Sequence, residues 1–421
     1  MTAKLGANQS DIHVRNRALV LQIVATEREI SRVDLARRTG LTKTTASKIV
    51  SELIAEDILC ETEVAAPESG PGRKPIFLGI SSGSPCVCGL LIKRNLCTAI
   101  LADYSGRVLT REDYAYTHSI DADALVQILF NLYEKVCAAV SRPVLAIGIA
   151  AIGPLDAAAR RLGAPPNFFG ISNLPLGDIF AEKTGLPVWL ISDASAGALA
   201  EKVYGGARAR ENFIYLHIMN GIGAGYVLHN QAYGGDSGQG GEIGHTSINY
   251  AGPVCDCGNP GCLEMYANID AINRKVKRMQ QALGLSSTLD PCEPRYGWRQ
   301  IITAAAKGDI CALAALDEFC MYISHALANA VNLLDIGHII VGYDSEQGED
   351  ILVDLLAKNL APRVLTGDAR QMTVERSAFG GDAPLIGAVA QVTNRLFAGR
   401  LPIGGAEACL AAQEAGPAIE A

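Results

Sequence analysis

The chain has 421 residues, 49% of them hydrophobic and 19% charged, with a net charge of −8. That length exceeds one ordinary core and predicts two or three domains. The composition excludes a disordered chain, and the acidic balance excludes a protein that coats nucleic acid over its whole surface.

No run of roughly eighteen apolar residues occurs, and Asp11, His13 and Arg15 interrupt the start before a leader-like core forms. No membrane partner is expected, and the protein is expected to be intracellular. Twelve cysteines scattered through a long chain of this kind read as free thiols and one metal site rather than as disulfides. Cys60, Cys86, Cys88, Cys97, Cys137, Cys311 and Cys320 lie in apolar surroundings and read as small buried hydrophobes.

Charge is unevenly placed. Residues 13–51 hold eight lysines and arginines (Arg15, Arg17, Arg28, Arg32, Arg37, Arg38, Lys43, Lys48) against three acids (Glu27, Glu29, Asp34), a local basic surface suited to phosphate contact. Val14, Ala18, Leu19, Leu21, Ile23 and Val24 recur at helical spacing. Ser31 with Asp34 three residues on, closed by Gly40, predicts a second helix with an N-cap and a left-handed stop. Thr42 caps a third, with Ala46, Ile49, Val50 and Leu53 as its apolar face.

Two short helices joined by Thr39-Gly40-Leu41 form the helix-turn-helix pattern. The candidate DNA contacts are Arg32 on the first and Lys43, Thr44, Thr45, Ser47 and Lys48 at the exposed start of the second. Hydroxyls and amines there reach base edges in a major groove and the flanking phosphates. A plain three-helix bundle with a polar face has the same pattern up to this point.

The chain then continues into Ile58–Val64 and Arg73–Leu78, two strands around a Gly/Pro-rich tip. Arg73 and Lys74 on that tip suit a minor groove or a backbone, while Glu61, Glu63 and Glu68 are expected to face away from DNA. Residues 1–82 are therefore predicted to be a winged helix-turn-helix domain for double-stranded operator DNA. Because such domains read two half-sites, a homodimer or homotetramer is expected.

From Cys86 onward strands and helices alternate. Val87–Ile92 and Cys97–Ala102 read as a strand pair, and 121–140 as a helix. Val144–Ile152 is a continuous apolar run, the mark of a strand buried on both faces. Val188–Ile191 is a further strand, followed by a helix over 194–204. Phe213–Ile218 and Ala224–Leu228 flank the turn Asn220-Gly221-Ile222-Gly223. Late in the chain come a long helix over 311–334, the strand His338–Val341 and a helix around 385–397. This order predicts an α/β architecture with two lobes around a cleft. The long helix reads equally as a core helix or an interface.

His245 precedes Cys255-Asp256-Cys257-Gly258-Asn259-Pro260-Gly261-Cys262. Three thiols on a loop bent by Gly258, Pro260 and Gly261, with His245 as a fourth ligand, suit a closed, structural Zn²⁺ site. The alternative is three unligated cysteines on a surface loop. Gly241-Glu242-Ile243-Gly244-His245, followed by this cysteine cluster and Glu264, resembles the signature of the ROK (repressor, open reading frame, kinase) family. Ala164-Pro165-Pro166-Asn167, Ser192–Glu201 and Asn220–Gly225 resemble other family segments, and the N-terminal domain resembles its repressor branch.

The resemblance implies a two-lobed actin-like (ribonuclease H-like) sugar-kinase fold of the ATPase type. The first lobe would take 83–192 plus 385–400, the second 193–384 with the zinc loop, and 401–421 would form a tail. It places sugar contacts on Asn167, Asp193, Glu242, His245 and Glu264, and zinc ligands on His245, Cys255, Cys257 and Cys262. Asp193 stands where a kinase keeps its catalytic base.

The ATP half departs from the family pattern. Where a kinase needs an Asp-x-Gly-Gly-Thr phosphate loop, the chain reads Cys88-Gly89-Leu90-Leu91-Ile92-Lys93-Arg94-Asn95, and Tyr343 in Gly342-Tyr343-Asp344 is expected to crowd a nucleotide. The expectation is a non-enzymatic, sugar-responsive repressor, cytoplasmic, bacterial and held at the nucleoid by its operator. The alternative is an active ATP-dependent sugar kinase carrying a DNA-binding module.

Overall fold

Local signals build the N-terminal unit largely as the sequence predicts. Helix α1 (Gln9–Thr26) is followed by β1 (Ile30–Ser31), α2 (Arg32–Thr39), α3 (Lys43–Ala55), β2 (Leu59–Thr62) and β3 (Phe77–Ile80). In this computed structural model the described residues are 9–403, apart from 28, 63–75, 117, 220, 237, 346–349 and 366–370. Ser31 Oγ accepts the Asp34 N–H at 3.2 Å and donates to Asp34 Oδ2 at 2.6 Å. Gly40 ends α2 at φ +69°, and Thr42 accepts the Thr45 N–H at 3.1 Å.

Ile49, Val50 and Leu53 are buried in one cluster with Val20, Leu21, Val24 and Leu35, and Ala46 is buried as well. Val14 falls outside this face and is 43% exposed, beside Gly399. Strands β2 and β3 pair antiparallel with Thr62 opposite Phe77, and the hairpin tip lies outside the described residues. The two-residue β1 adds a third strand on β3, which the sequence reading did not anticipate.

The rest of the chain builds two sheets of the same strand order. The first contains β4 (Cys86–Ile92), β5 (Leu96–Ala102), β6 (Val108–Ala115), helix α4 (Ala122–Ala139) and β7 (Val144–Ala151). After the small ribbon of β8 (Leu155–Asp156) and β9 (Arg161–Leu162) come α5 (Leu176–Thr184), β10 (Val188–Ser192) and α6 (Asp193–Val203). The second sheet begins with β11 (Phe213–Ile218), β12 (Ile222–Leu228) and β13 (Gln231–Tyr233). Helices α7 (Leu263–Tyr266), α8 (Ile269–Ala282), α9 (Trp298–Ala306) and α10 (Ile310–Leu334) precede β14 (His338–Tyr343), α11 (Ile351–Leu360), β15 (Thr373–Arg376) and α12 (Ala383–Phe397).

The sheets run β10-β7-β4-β5-β6 and β13-β12-β11-β14-β15. In each, an antiparallel meander of three strands is extended by two parallel ones beside its first strand. Strand β7, read as buried on both faces, sits between β10 and β4 with all but its first residue buried.

Helices α6 and α12 pack on each other between the sheets, α12 against β4 and β7 and α6 against β11 and β12. Glycine makes the approach feasible: a Cβ at Gly387 would lie 1.9 Å from the Ala196 carbonyl oxygen, and one at Gly148 1.9 Å from that of Ala388. Helix α10 has the length and apolarity to cross a membrane, yet the fold sets it against α8, α9 and α11 with Leu316, Phe319, Ile323 and Leu327 buried. At its far end α12 meets α1, and one apolar cluster runs from Leu21 and Val24 through Leu396 and Phe397 to Tyr104.

Candidate functional site

The carboxyl ends of parallel strands, where side chains and helix starts converge, are the usual place for a ligand in an α/β sheet. Here β7, β10, β11 and β14 all end toward one cleft. The β4–β5 turn and the β11–β12 turn face it from opposite sheets.

A cavity of about 410 Å³ lies in this cleft, and Asp193, Glu242, His245 and Glu264 all line it. Asp193 opens α6, its Oδ1 accepting the Ala194 N–H at 2.7 Å. Glu264, in the short α7, accepts the Ile222 N–H at 2.7 Å. A Cβ at Gly221 would lie 2.6 Å from the same carboxylate oxygen, so glycine there is what lets Glu264 approach the turn. Burial pushes the Glu242 carboxyl above its usual range, with Asp193 and Glu264 adding to the effect and His245 opposing it. Three acids around a partly enclosed space suit a ligand that offers hydroxyl donors.

Asn167 is placed differently. It is exposed, in left-handed backbone at φ +55°, and is not among the lining residues, which here are Ala164 and Pro166. Its amide reaches Asp256 Oδ2 at 3.4 Å instead, across the mouth of the cleft to the cysteine loop.

Sequence reasoning missed Lys93, Arg94, His217 and Asp256 as cavity residues. His217 Nε2 lies 3.8 Å from Asp193 Oδ2, its Nδ1 is buried without a hydrogen-bond partner, and burial pushes its imidazole below the usual range. Nothing in an apolar strand singles out one histidine. The doublet Lys93-Arg94 was legible as a departure from glycine, but not as a pair of cavity cations.

The predicted metal ligands come together. One donor atom from each of His245, Cys255, Cys257 and Cys262 lies within 4.8 Å of the others. Cys257 Sγ and Cys262 Sγ are 3.5 Å apart, and Cys255 Sγ is 3.7 Å from His245 Nδ1. A tetrahedral zinc with bonds of ordinary length holds such atoms about 3.6–3.8 Å apart, so the donor set and its spacing both fit zinc. The Asn259 N–H draws the Cys257 thiol below the usual range, while burial pushes Cys262 up to about 12.

A second cavity of about 580 Å³ lies beyond the first, lined by Lys93, Arg111, Arg299 and Arg376 with Asp344 and Asp382. Arg299 pairs with Asp344 at 2.7 Å, and Arg111 with Asp382 at 2.7 Å. The crowding expected of Tyr343 does not occur. Its ring is fully buried in the core of the second sheet, and Gly380 and Gly381 line the cavity instead. Strand β14 is buried on both faces, so no polar alternation in its sequence reveals which way Tyr343 turns.

On the N-terminal unit, Lys43, Thr44 and Lys48 are exposed at the start of α3 and Thr45 and Ser47 are half-buried. Thr45 Oγ1 lies 2.9 Å from Thr42 Oγ1. Arg32 turns inward, donating to Glu61 Oε1 at 3.0 Å and to the Ser47 carbonyl at 3.1 Å. Arg17, Arg37 and Arg38 pair with Glu56, Asp34 and Glu27. Among the described residues no hydrogen bond or ion pair holds Lys43 or Lys48. Arg73 and Lys74 lie outside the described residues.

The ROK family model matches residues 88–395. A xylose repressor of Caldicellulosiruptor bescii is 30% identical over 395 residues, covering 91% of this chain and 96% of the relative. One from Bacillus subtilis is 28% identical over 384 residues, covering 90% and 95%. Among solved structures, a ROK family transcriptional regulator described as a homolog of the Escherichia coli MLC protein superposes with a TM-score of 0.74 at 29% identity, over 92% of this chain and 97% of its own. A ROK family glucokinase from Streptomyces griseus, solved with glucose and AMPPNP, superposes with a TM-score of 0.65 at 26% identity, over 74% and 99%. The two-sheet body therefore has the actin-like fold of ROK kinases.

Proposed function

The chain belongs to the ROK family, and from that premise we propose that it is a sugar-responsive transcriptional repressor that does not turn over ATP. Residues 1–82 act as the winged helix-turn-helix. Helix α3 enters the major groove with Lys43, Thr44, Thr45, Ser47 and Lys48, and Arg73 and Lys74 of the wing reach the backbone or the minor groove. Arg32 contacts DNA only after leaving Glu61. A homodimer places two such units on operator half-sites.

The sugar lies in the smaller cavity against Asp193, Glu242, His245 and Glu264, and Asn167 joins it as the lobes, 83–192 with 385–400 and 193–384, close. Zinc held by His245, Cys255, Cys257 and Cys262 braces the loop and fixes the imidazole on the metal side, so its other nitrogen faces the ligand. Similarity to repressors named for xylose and a kinase named for glucose supports a monosaccharide core without choosing one.

The observation that carries the reading is the position of α12. It packs on α6, whose first residue is Asp193 in the cavity, and on α1 of the three-helix unit. A ligand that favours one arrangement of the lobes thus biases the DNA-binding unit, and a tenfold preference is worth about 1.4 kcal/mol.

Retention of Asp193 and an open neighbouring cavity favour the kinase as a second reading. Against it, the β4–β5 turn offers Lys93, Arg94 and Asn95, with no acid or glycine pair to organise Mg²⁺ and phosphates. The test is a coupled ADP assay alongside thermal shift with xylose, glucose and N-acetylglucosamine. Stabilisation without ADP release is expected, and sustained ADP release on any of them would overturn the sensor. Lys48→Ala should weaken DNA binding, lower its salt slope by about one and leave the sugar response intact.

A further inference from the structure

The two cavities differ in charge and share Lys93 and Met219. The smaller is lined by Asp193, Glu242, Asp256 and Glu264, the larger mainly by cations, and Lys93 belongs to both. Lys93 is half-buried, and its ammonium donates at 3.3 Å to a neutral acceptor, the Gly381 carbonyl. Arg94 likewise donates to a carbonyl, that of Pro166, at 3.1 Å. Among the described residues neither cation has a carboxylate within ion-pair distance. His217 lines the same end of the cavity, its Nε2 standing 3.8 Å from Asp193 Oδ2, beyond hydrogen-bond distance. A partly buried cation with no carboxylate in ion-pair contact is costly. Two such cations, with the His217 ring beside them, offer a convergent set of donors to an anion with several acceptor oxygens.

We propose that the effector is a sugar phosphate, its hydroxyls held by Glu242, His245 and Glu264 and its phosphate by Lys93, Arg94 and His217. A phosphate monoester carries close to two charges and three acceptor oxygens, matching two cations and one further donor better than a single carboxylate does. Asp193, whose Oδ1 is engaged by its own helix, flanks the phosphate without needing to meet it. The Lys-Arg doublet thus has a positive role beyond the loss of a phosphate loop. The proposal rests on the sensor reading above.

The test is calorimetry on the full chain with xylose, glucose and N-acetylglucosamine, the phosphate ester of each, glucuronate and inorganic phosphate. At least one ester should bind about tenfold to a hundredfold more tightly than its parent sugar, the range expected for a charge-assisted hydrogen bond. Lys93→Met should erase that preference and Lys93→Arg should keep it. Parent sugars binding as tightly as their esters would overturn the proposal and leave the sensor standing. Glucuronate binding as tightly as the best ester would overturn the choice of phosphate. A preference that survives Lys93→Met combined with Arg94→Met would overturn the assignment to these cations. No binding by any of these ligands would overturn both the proposal and the sensor.

Discussion

The β4–β5 and β11–β12 turns occupy the same place in two sheets of the same strand order, and they have diverged in opposite directions. Every residue of β4 and of β11 is buried, so both hairpins are held by their strands whatever their tips carry. The second tip keeps Gly221, which admits Glu264. The first has Lys93 and Arg94, which put charge into the cleft. The frame is set by apolar strands and close glycine contacts, and the ligand chemistry by a few residues at the tips. A tip can therefore change its ligand while the fold is untouched.

If that division holds, the largest effect should come from the frame. Gly387→Ala sets a methyl against the Ala196 carbonyl oxygen, a backbone neighbour that cannot swing away, and should cost about 3 kcal/mol in denaturant unfolding. A loss under ~0.5 kcal/mol would show that α6 and α12 separate easily. Next comes the metal: Cys262→Ser should remove bound zinc by elemental analysis and weaken the effector about tenfold to a hundredfold through His245. Full affinity without zinc would separate the loop from the site. Glu264→Gln should weaken the effector by about 1.5–3 kcal/mol while leaving the unfolding midpoint close to wild type, the reverse of the Gly387 variant. Smallest is Thr42→Ala, which removes the α3 cap and should cost about 1 kcal/mol, read in the stability of the N-terminal unit.

What was legible in the sequence was local. Ser31 and Thr42 cap helices by accepting the N–H three residues on, Gly40 stops one in left-handed backbone, and the run at 144–151 announces a central strand by composition. What was not legible depended on distant partners. Two residues, Ile30 and Ser31, become a strand only because Leu78 and Phe77 come alongside. Arg32 reads as a DNA contact until Glu61 is folded against it.

At the site, the cysteine loop was legible because three of its four candidate ligands lie within eight residues of chain. Asp193, Glu242 and Glu264 were legible only through the family resemblance. His217 and the cavity role of Lys93 needed the two sheets to be brought face to face.

The most direct measurement is the anisotropy of a labelled duplex, selected from random DNA by the full chain, as sugars and their phosphate esters are titrated with and without Mg-ATP. The account predicts that at least one of them changes the duplex affinity about tenfold or more, equally with and without ATP. A duplex affinity indifferent to every sugar and ester, or a response that appears only while ATP is consumed, would contradict it.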